Sequence, residues 1–325
     1  MAQPAACLAK PISAPRAEPR AVRRGQAVFR HAFVPAVLGF FVGAWAFKDA
    51  CARALQAASI PMDFISVVLL GSIALVWMAE QLYPQNPDWN YRLMSSGARG
   101  FLRLGRDLLY LFVIALVSAL FIRVTTFEVD AALKGMGFTA PSLLWPHAAP
   151  FAVKVGLAFF CVELFSYWLH RAAHHSPFLW RFHSTHHVIS ELGALKAVRT
   201  HPIDNVFFHL VRYTPLLLLG AGREEIVTVT YFGGLLGILA HANVNVAEGI
   251  LGLVVNLPRY HSVHHSSNIE ESRANFGCHT ILWDRVFGTF QRAPKGALSV
   301  GVEPLGPRTL WQELIAPFRL DGDVS

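Results

Sequence analysis

The sequence predicts an all-α integral membrane protein, and three observations lead to that prediction. Of the 325 residues, 54% are hydrophobic and only 15% are charged, whereas soluble chains carry about a quarter charged residues. Long apolar stretches recur along the chain, and a segment inside a bilayer is helical because its backbone groups must hydrogen-bond within it. Basic residues are concentrated in the segments that a multi-span topology places on one side.

Four apolar stretches in the first half of the chain can cross or enter a bilayer, although several are shorter than the roughly 20 residues of a full span. We therefore expect about four transmembrane helices within residues 31–169. The stretches are Ala32–Phe47, Phe64–Tyr83, Leu108–Ile122 and Phe151–Leu169.

A second apolar region follows, at residues 206–240. Gly220, Gly222 and three successive charged residues interrupt it, and such breakers favour a turn between two helices. We expect a membrane-associated helical hairpin that spans or re-enters the bilayer.

The formal net charge of +7 is unevenly distributed. Under the positive-inside rule, the basic N-terminal segment and the loop between the second and third stretches lie in the cytoplasm. Four crossings then return everything after Leu169, including the C-terminus, to the cytoplasmic side. Topology and contact with anionic lipid explain the basic charge, so no nucleic-acid partner is expected. The basic residues are Lys10, Arg16, Arg20, Arg23, Arg24, Arg30, Arg92, Arg99, Arg103 and Arg106.

The two ends of the chain are expected to be tails. Residues 1–30 are rich in Ala, Arg and Pro, which indicates a disordered basic tail, with an organelle transit peptide as the alternative. Residues 293–325 are expected to form a C-terminal tail. The four cysteines have no CxxC spacing, so they are expected to be free thiols.

Histidines are the strongest chemical signal, since thirteen of the fifteen fall between His170 and His279. They form three clusters with spacings of three and four residues, which place imidazoles on one face of a helix. The first cluster ends the fourth apolar stretch, and a proline near the start of a helix precedes each of the others. The clusters are His170, His174 and His175; His183, His186 and His187; and His261, His264 and His265.

These clusters indicate a metal site. They offer eight or nine imidazoles, enough for two ions, whereas a zinc site needs three or four ligands. If the site oxidises an unactivated C–H bond, it needs a redox metal, and two irons are then favoured over two zincs. A haem needs only two axial ligands, and a metalloprotease HExxH motif is absent because Arg171 occupies the glutamate position. The isolated His31, His147 and His209 are expected to be ordinary surface or core residues.

These motifs resemble the fatty acid hydroxylase and sterol desaturase superfamily of membrane di-iron enzymes, in particular its bacterial members. The resemblance covers about residues 70–292 and includes the segments that begin at Glu80 and Asn275. It also rests on His-Arg-x-x-His at 170–174, Leu-Trp-Arg-Phe-His-Ser-Thr-His-His at 179–187 and Tyr-His-Ser-Val-His-His at 260–265.

The resemblance implies a catalytic region at 170–292, including the hairpin, in a cytoplasmic helical cap. It implies that two iron ions react with O2. His175, Asp204 and Asn245 are candidates for contacts behind the metal ligands, and His201 is not expected to be a ligand. The implied ligands are His170, His174, His183, His186, His187, His241, His261, His264 and His265.

The expected activity is hydroxylation of a membrane lipid, with an acyl chain or an aminolipid favoured. A sterol or fatty-acyl desaturase is the alternative within the superfamily, and a membrane metal transporter or sensor is a remote one. The chain has no complete dinucleotide-binding fingerprint and no cysteine set for an iron–sulfur cluster. We therefore expect a separate electron donor, such as a ferredoxin, a cytochrome or a reductase, and a bacterial inner membrane.

Overall fold

The computed structural model describes residues 20–60, 62–91, 97–137, 144–294, 298–302 and 309–319. In these residues the regular structure is helical, and β-structure is limited to isolated bridges. The α-helices are α1 (Arg20–Ala46), α2 (Lys48–Ala57), α3 (Phe64–Leu82), α4 (Ala98–Ile122), α5 (Val129–Gly135), α6 (Phe151–His175), α7 (Pro177–His187), α8 (Pro202–Leu219), α9 (Arg223–His241), α10 (Pro258–His264), α11 (Ile269–Ser272), α12 (Leu282–Val286) and α13 (Leu310–Ile315).

Among the residues that the structure describes, three helices are long and apolar enough to cross a membrane: the Gly25–Ala46 part of α1, α3 and α6. The prediction of an all-helical fold with apolar helices of membrane-spanning length is confirmed for this part of the chain. Helix α4 contains the third predicted stretch, and its apolar side chains at every fourth position are exposed, which is typical of a face turned to lipid. That α4 is a fourth transmembrane helix stays a prediction. The exposed residues are Leu108, Phe112, Leu116 and Leu120.

Helix α1 begins at Arg20, earlier than the predicted boundary at residue 30. The expectation of a tail up to residue 30 is therefore wrong for residues 20–30, and residues 1–19 lie outside the described part of the chain. Pro19 precedes the helix, and the only proline inside it is Pro35. Because no proline lies between these two positions to interrupt the helix, α1 can extend toward the N-terminus as far as Arg20.

Helices α8 and α9 form the predicted hairpin. Gly220 ends α8 in the left-handed conformation, with φ of 99°, which glycine adopts without steric cost. At the start of α9, Glu224 pairs with Lys48 at 3.5 Å and Glu225 pairs with Lys154 at 2.7 Å. The turn therefore lies beside the end of α1 and the start of α6, and α9 runs from there to His241.

The hydrophobic core has two main parts, and α9 contributes to both. One packs α1 and α3 against α9, where the Tyr231 hydroxyl donates to the Phe41 carbonyl at 3.1 Å. The other packs α6 and α8 against the first turns of α9, around Val162, Leu216 and Ile226. Most side chains of α9 are buried as a result, so its C-terminal histidine is held by packing on several sides.

The C-terminal region is not simply a tail. Thr309 and Gln312 form a capping box that begins α13, and this pattern satisfies two backbone donors of a helix start. Glu313 on α13 is almost fully buried, and a carboxylate is buried only where partners compensate its charge. The expectation of a tail is therefore wrong for residues 309–319. Residues 295–297, 303–308 and 320–325 lie outside the described residues.

Candidate metal centre

Four helices bring the histidines to one end of the bundle. His170 and His174 lie one turn apart in the last part of α6. Ser176 caps the next helix and Pro177 is its first residue, so α7 begins at once and turns its own histidines toward α6. Helix α10 begins with Pro258, and α9 ends at His241.

The histidines form two adjacent groups. Within each group, one ring nitrogen from every member lies within 4.8 Å of the others. The rings of His187 in group one and His265 in group two stack at a centroid distance of 4.5 Å, so the groups share a boundary. All nine histidines are buried. Group one contains His170, His174, His183, His187 and His264, and group two contains His186, His241, His261 and His265.

Three imidazoles of group one donate their Nδ1 protons to oxygens behind them. His170 donates to the Phe276 carbonyl at 2.6 Å, and His264 donates to the Ala274 carbonyl at 2.9 Å. His183 donates to Asp204 Oδ2 at 3.0 Å. These bonds set the tautomer, so each Nε2 carries a lone pair that faces the centre of the group.

In group two, backbone carbonyls orient two of the four rings in the same way. His186 donates its Nδ1 proton to the Arg199 carbonyl at 3.1 Å, and His241 donates to the Gly237 carbonyl at 2.8 Å. Nevertheless, the Nε2 atoms of these two histidines lie 3.0 Å apart. Two unprotonated nitrogens cannot hydrogen-bond to each other, so this arrangement favours a cation between them.

The residues present fit metal ions. Two nitrogens bound to one ion at about 2.1 Å would lie about 3 to 3.4 Å apart, and His261 Nε2 is 2.9 Å from His241 Nε2. Buried nitrogens that lack any hydrogen-bond partner include His170 Nε2, His183 Nε2 and His264 Nε2. Burial lowers the pKa of His264 to about 3, so this ring is neutral and able to ligate at neutral pH.

A loop over residues 274–281 supplies several of these supports and is itself anchored by carboxylates. Asp284 accepts from the Phe276 and Gly277 amides at 2.7 and 2.8 Å. A Cβ at Gly277 would lie 1.8 Å from the Thr280 carbonyl oxygen, so only glycine fits there. Glu163 on α6 accepts from the Thr280 amide at 2.7 Å.

A pair formed by Glu163 and His279 was not predicted from the sequence. His279 donates its Nδ1 proton to Glu163 Oε1 at 2.5 Å, and the pair is buried beside the centre but outside both histidine groups. The available signal was the single acidic residue within the apolar stretch of α6, because an ionisable residue in a membrane helix needs a nearby partner.

The candidates for supporting contacts lie in different places. Asp204 is behind His183, whereas His175 is exposed and its Nδ1 bonds to the Arg171 carbonyl at 2.7 Å. Asn245 is also exposed and is not brought to the site. The reason is that α9 ends at His241 and Ala242 is extended, so the spacing of one helical turn no longer applies. His201 lies outside both groups, as expected.

An apolar cavity of about 510 Å³ lies between α1, α6 and α9. Leu236, which precedes His241 on α9, is one of the lining residues. Phe159 is another, and the centroid of its ring lies 6.2 Å from that of the His279 ring. The cavity is also lined by Trp45, Phe151, Ala152, Val155, Gly156, Thr228 and Phe232.

The relatives of this chain include proteins named as a hydroxylase and as monooxygenases. The ornithine lipid hydroxylase OlsE of Rhizobium tropici is 29% identical over 261 residues, which cover 80% of this chain and 77% of that protein. The alkylglycerol monooxygenases of Danio rerio and Homo sapiens are each 32% identical, over 48% and 41% of this chain. The aligned segments span about a third of those two proteins, 34% and 30%.

No solved structure shows a significant match to this chain. The fatty acid hydroxylase family profile matches residues 155–289, a range that contains all nine histidines of the two groups. The matched range, the relatives and the histidine motifs all support a relationship of this chain to the fatty acid hydroxylase superfamily.

Proposed function

We propose that this protein is a membrane-bound, O2-dependent di-iron oxidoreductase that hydroxylates a lipid. The observation that carries the proposal is the convergence of nine buried histidines into two adjacent groups, in which the hydrogen bonds behind five of the rings leave the Nε2 lone pair directed inward. Desolvating so many imidazole nitrogens without hydrogen-bond partners is costly. Metal ions would compensate that cost.

Each group would hold one iron ion, with His170, His174, His183, His187 and His264 for the first and His186, His241, His261 and His265 for the second. Two irons would supply the redox chemistry with O2 that oxidation of an unactivated C–H bond requires. The chain's own contribution is to fix the tautomers through the bonds behind the rings and to keep the site buried.

A lipid substrate is supported by the apolar cavity between α1, α6 and α9. From Leu236, on its lining, α9 continues to His241 over about 7.5 Å at 1.5 Å per residue. An alkyl chain in the cavity would therefore extend toward the metal centre. The relatives are named for an ornithine lipid and an alkylglycerol, and we favour an acyl chain or an aminolipid as the substrate.

Hydroxylation is favoured over desaturation because the relatives described above are named hydroxylases and monooxygenases. A metal transporter would place ligands along a path through the spans, whereas these histidines converge at one end of the bundle. Sterol or fatty-acyl desaturation is the alternative outcome of the lipid analysis described below.

In the proposed membrane arrangement α1, α3, α4 and α6 span the bilayer. The hairpin of α8 and α9 also spans it, since the ion pairs of Glu224 and Glu225 place its turn at the end opposite His241. Both termini and the metal centre would face the cytoplasm of a bacterial inner membrane. A separate ferredoxin, cytochrome or reductase would then reach the centre from that side.

The decisive experiment compares lipid extracts from cells with and without the gene by mass spectrometry, under aerobic conditions with a reductase present. Gain of one oxygen in a lipid supports hydroxylation, and loss of two hydrogens supports desaturation. Iron analysis of the purified protein should give about two ions per chain. No lipid change, or a protein that binds exchangeable zinc and consumes no oxygen, would overturn the proposal.

The cavity can be tested by filling it. No atom lies within 4 Å of a Cβ built at Gly156, so Gly156→Leu introduces a side chain into the cavity from a position whose Cβ has open space around it. We expect the KM for long-chain substrates to rise about tenfold or more, with short-chain substrates less affected. Gly39→Leu is the matched control, because Gly39 is equally open but does not line the cavity. Equal effects of both variants would contradict the assignment.

Topology can be tested by cysteine labelling. The exposed Ser267 lies near the histidines and the exposed Ala57 ends α2 at the other end of the bundle. In a background in which the four native cysteines are replaced by serine, we expect Ser267→Cys to react with an impermeant maleimide only in inverted vesicles, and Ala57→Cys only in intact spheroplasts. The reverse pattern would show that the metal centre faces away from cytoplasmic donors.

A further inference from the structure

We propose that Glu313, near the C-terminus, is a positioning residue for the metal centre. The C-terminal segment 309–319 was not recognised from sequence, and it packs against residues 199–204, which orient one histidine of each group. This inference rests on the proposed metal centre. It adds to that proposal a requirement for a segment outside the matched family range of 155–289.

The first link joins α13 to Arg199. The Glu313 carboxylate accepts hydrogen bonds from the Arg199 guanidinium and from the Tyr110 hydroxyl. All three side chains are buried, so the ion pair is poorly screened by solvent and each charge depends on its partner. Asp107 lies farther away, at 3.7 Å from Arg199 Nη1, and is shared with Arg106 at the same distance.

The second link joins Arg199 to the metal ligands. Its carbonyl accepts the Nδ1 proton of His186, at 3.1 Å. Five residues later, Asp204 accepts the Nδ1 proton of His183, at 3.0 Å. His186 belongs to group two and His183 to group one, so a shift of residues 199–204 would misorient a ligand in each group.

Two further contacts hold residues 199–204, which we call the strap. His201 Nε2 donates to the Leu314 carbonyl at 3.1 Å, and its ring lies 6.1 Å from the Phe318 ring. Phe318 also contacts Phe182 on α7, at a centroid distance of 5.7 Å. The segment 309–319 therefore contacts both the strap and the helix that carries His183 and His186.

The chemical reason for a charged residue at position 313 is the position of Arg199. Without the Glu313 charge, the buried guanidinium keeps, among the described residues, only Asp107, at 3.7 Å from Nη1, as a carboxylate partner. It would shift toward Asp107, and its backbone carbonyl would move with it. Replacing Glu313 by Gln keeps the shape but removes the nearer of the two charges that hold Arg199. Metal binding depends on such supporting contacts, whose loss costs about 10- to 100-fold in affinity.

The test measures Fe²⁺ affinity of the full-length protein in detergent under argon, by competition with a chromophoric chelator. We expect Glu313→Gln to weaken Fe²⁺ binding about 10- to 100-fold and Glu313→Asp, which keeps the charge, to restore most of it. The matched control is Glu270→Gln, which makes the same change in an exposed ion pair with Arg273. The melting temperature of the metal-free protein is measured in parallel.

Wild-type Fe²⁺ affinity in Glu313→Gln, with or without a lower melting temperature, would overturn the inference, and so would an equal loss in the control. If Glu313→Gln does not fold, Tyr110→Phe removes one donor from the same carboxylate. A fall in affinity of at least about threefold then supports the inference, and unchanged affinity overturns it. Failure of the wild-type protein to bind Fe²⁺ would instead contradict the proposed metal centre.

Discussion

The two histidine groups differ in where their members come from. Four of the five histidines in group one come from the consecutive helices α6 and α7, with His264 from α10. Group two takes three of its members from α7, α9 and α10, and the fourth, His265, directly follows α10. Group one is thus mostly a local structure around one helix-helix turn, whereas group two forms only when α9 is packed in the core.

The groups also differ in the contacts behind their ligands. Group one has a carboxylate, Asp204, behind His183, whereas the oxygens behind His186 and His241 are backbone carbonyls. A carboxylate makes the imidazole it contacts a better ligand than a carbonyl does. We therefore expect group one to bind its ion more tightly, and the following variants test that difference.

The largest effect is expected from removing one ligand of either group. His264→Ala and His186→Ala should each lower turnover more than about 100-fold, because each removes a ligand that a site of this kind needs. Activity assays and iron analysis, with a loss of about one ion per chain, check the expectation. His31→Ala is the control, since His31 is exposed and far from the groups in sequence. Full activity in both cluster variants would rule out the assignment.

A smaller effect should distinguish the groups. Asp204→Asn keeps the shape but removes the charge behind His183, and we expect a loss of about 10- to 100-fold in metal affinity or activity. The loss should concern the tighter of the two ions, which stepwise chelation with iron analysis can show. Asp49→Asn is the control because Asp49 is exposed. If the weaker ion were lost instead, the predicted order of affinities would be wrong.

The smallest effects are expected at the two exposed polar neighbours. His175→Ala and Asn245→Ala should each retain activity and iron content within about twofold, since surface substitutions away from such sites change stability by at most about 0.5 kcal/mol. Both residues lie outside the groups. A clear loss of iron from Asn245→Ala would show that residue 245 approaches group two when metal is bound.

Much of the site could be predicted from sequence. Histidines spaced three and four apart on one helix share a face whatever surrounds the helix, so the clusters at His170, His183 and His261 were evident. The apolar stretches predicted the membrane helices for the same local reason. His241 lacks such a local pattern; its place at the end of the hairpin made it a further candidate, and the resemblance implied that it is a ligand.

Other features depended on contacts between distant segments. Asn245 was expected one turn beyond His241, but the helix ends at His241 itself, and helix ends are the least certain part of a prediction from periodicity. His279 pairs with Glu163 across more than a hundred residues, a separation for which the sequence has no local rule. The C-terminal helix was mistaken for a tail because its single buried carboxylate, Glu313, resembles any surface glutamate in sequence.

The sequence by itself determined the helical membrane character and the three histidine clusters, because hydropathy and helical spacing act over a few residues. The tertiary structure decided how the nine histidines divide into two groups, which oxygen orients each ring and that residues 309–319 hold the strap behind them. These features depend on how chain segments that are far apart in sequence pack together, so no single segment determines them.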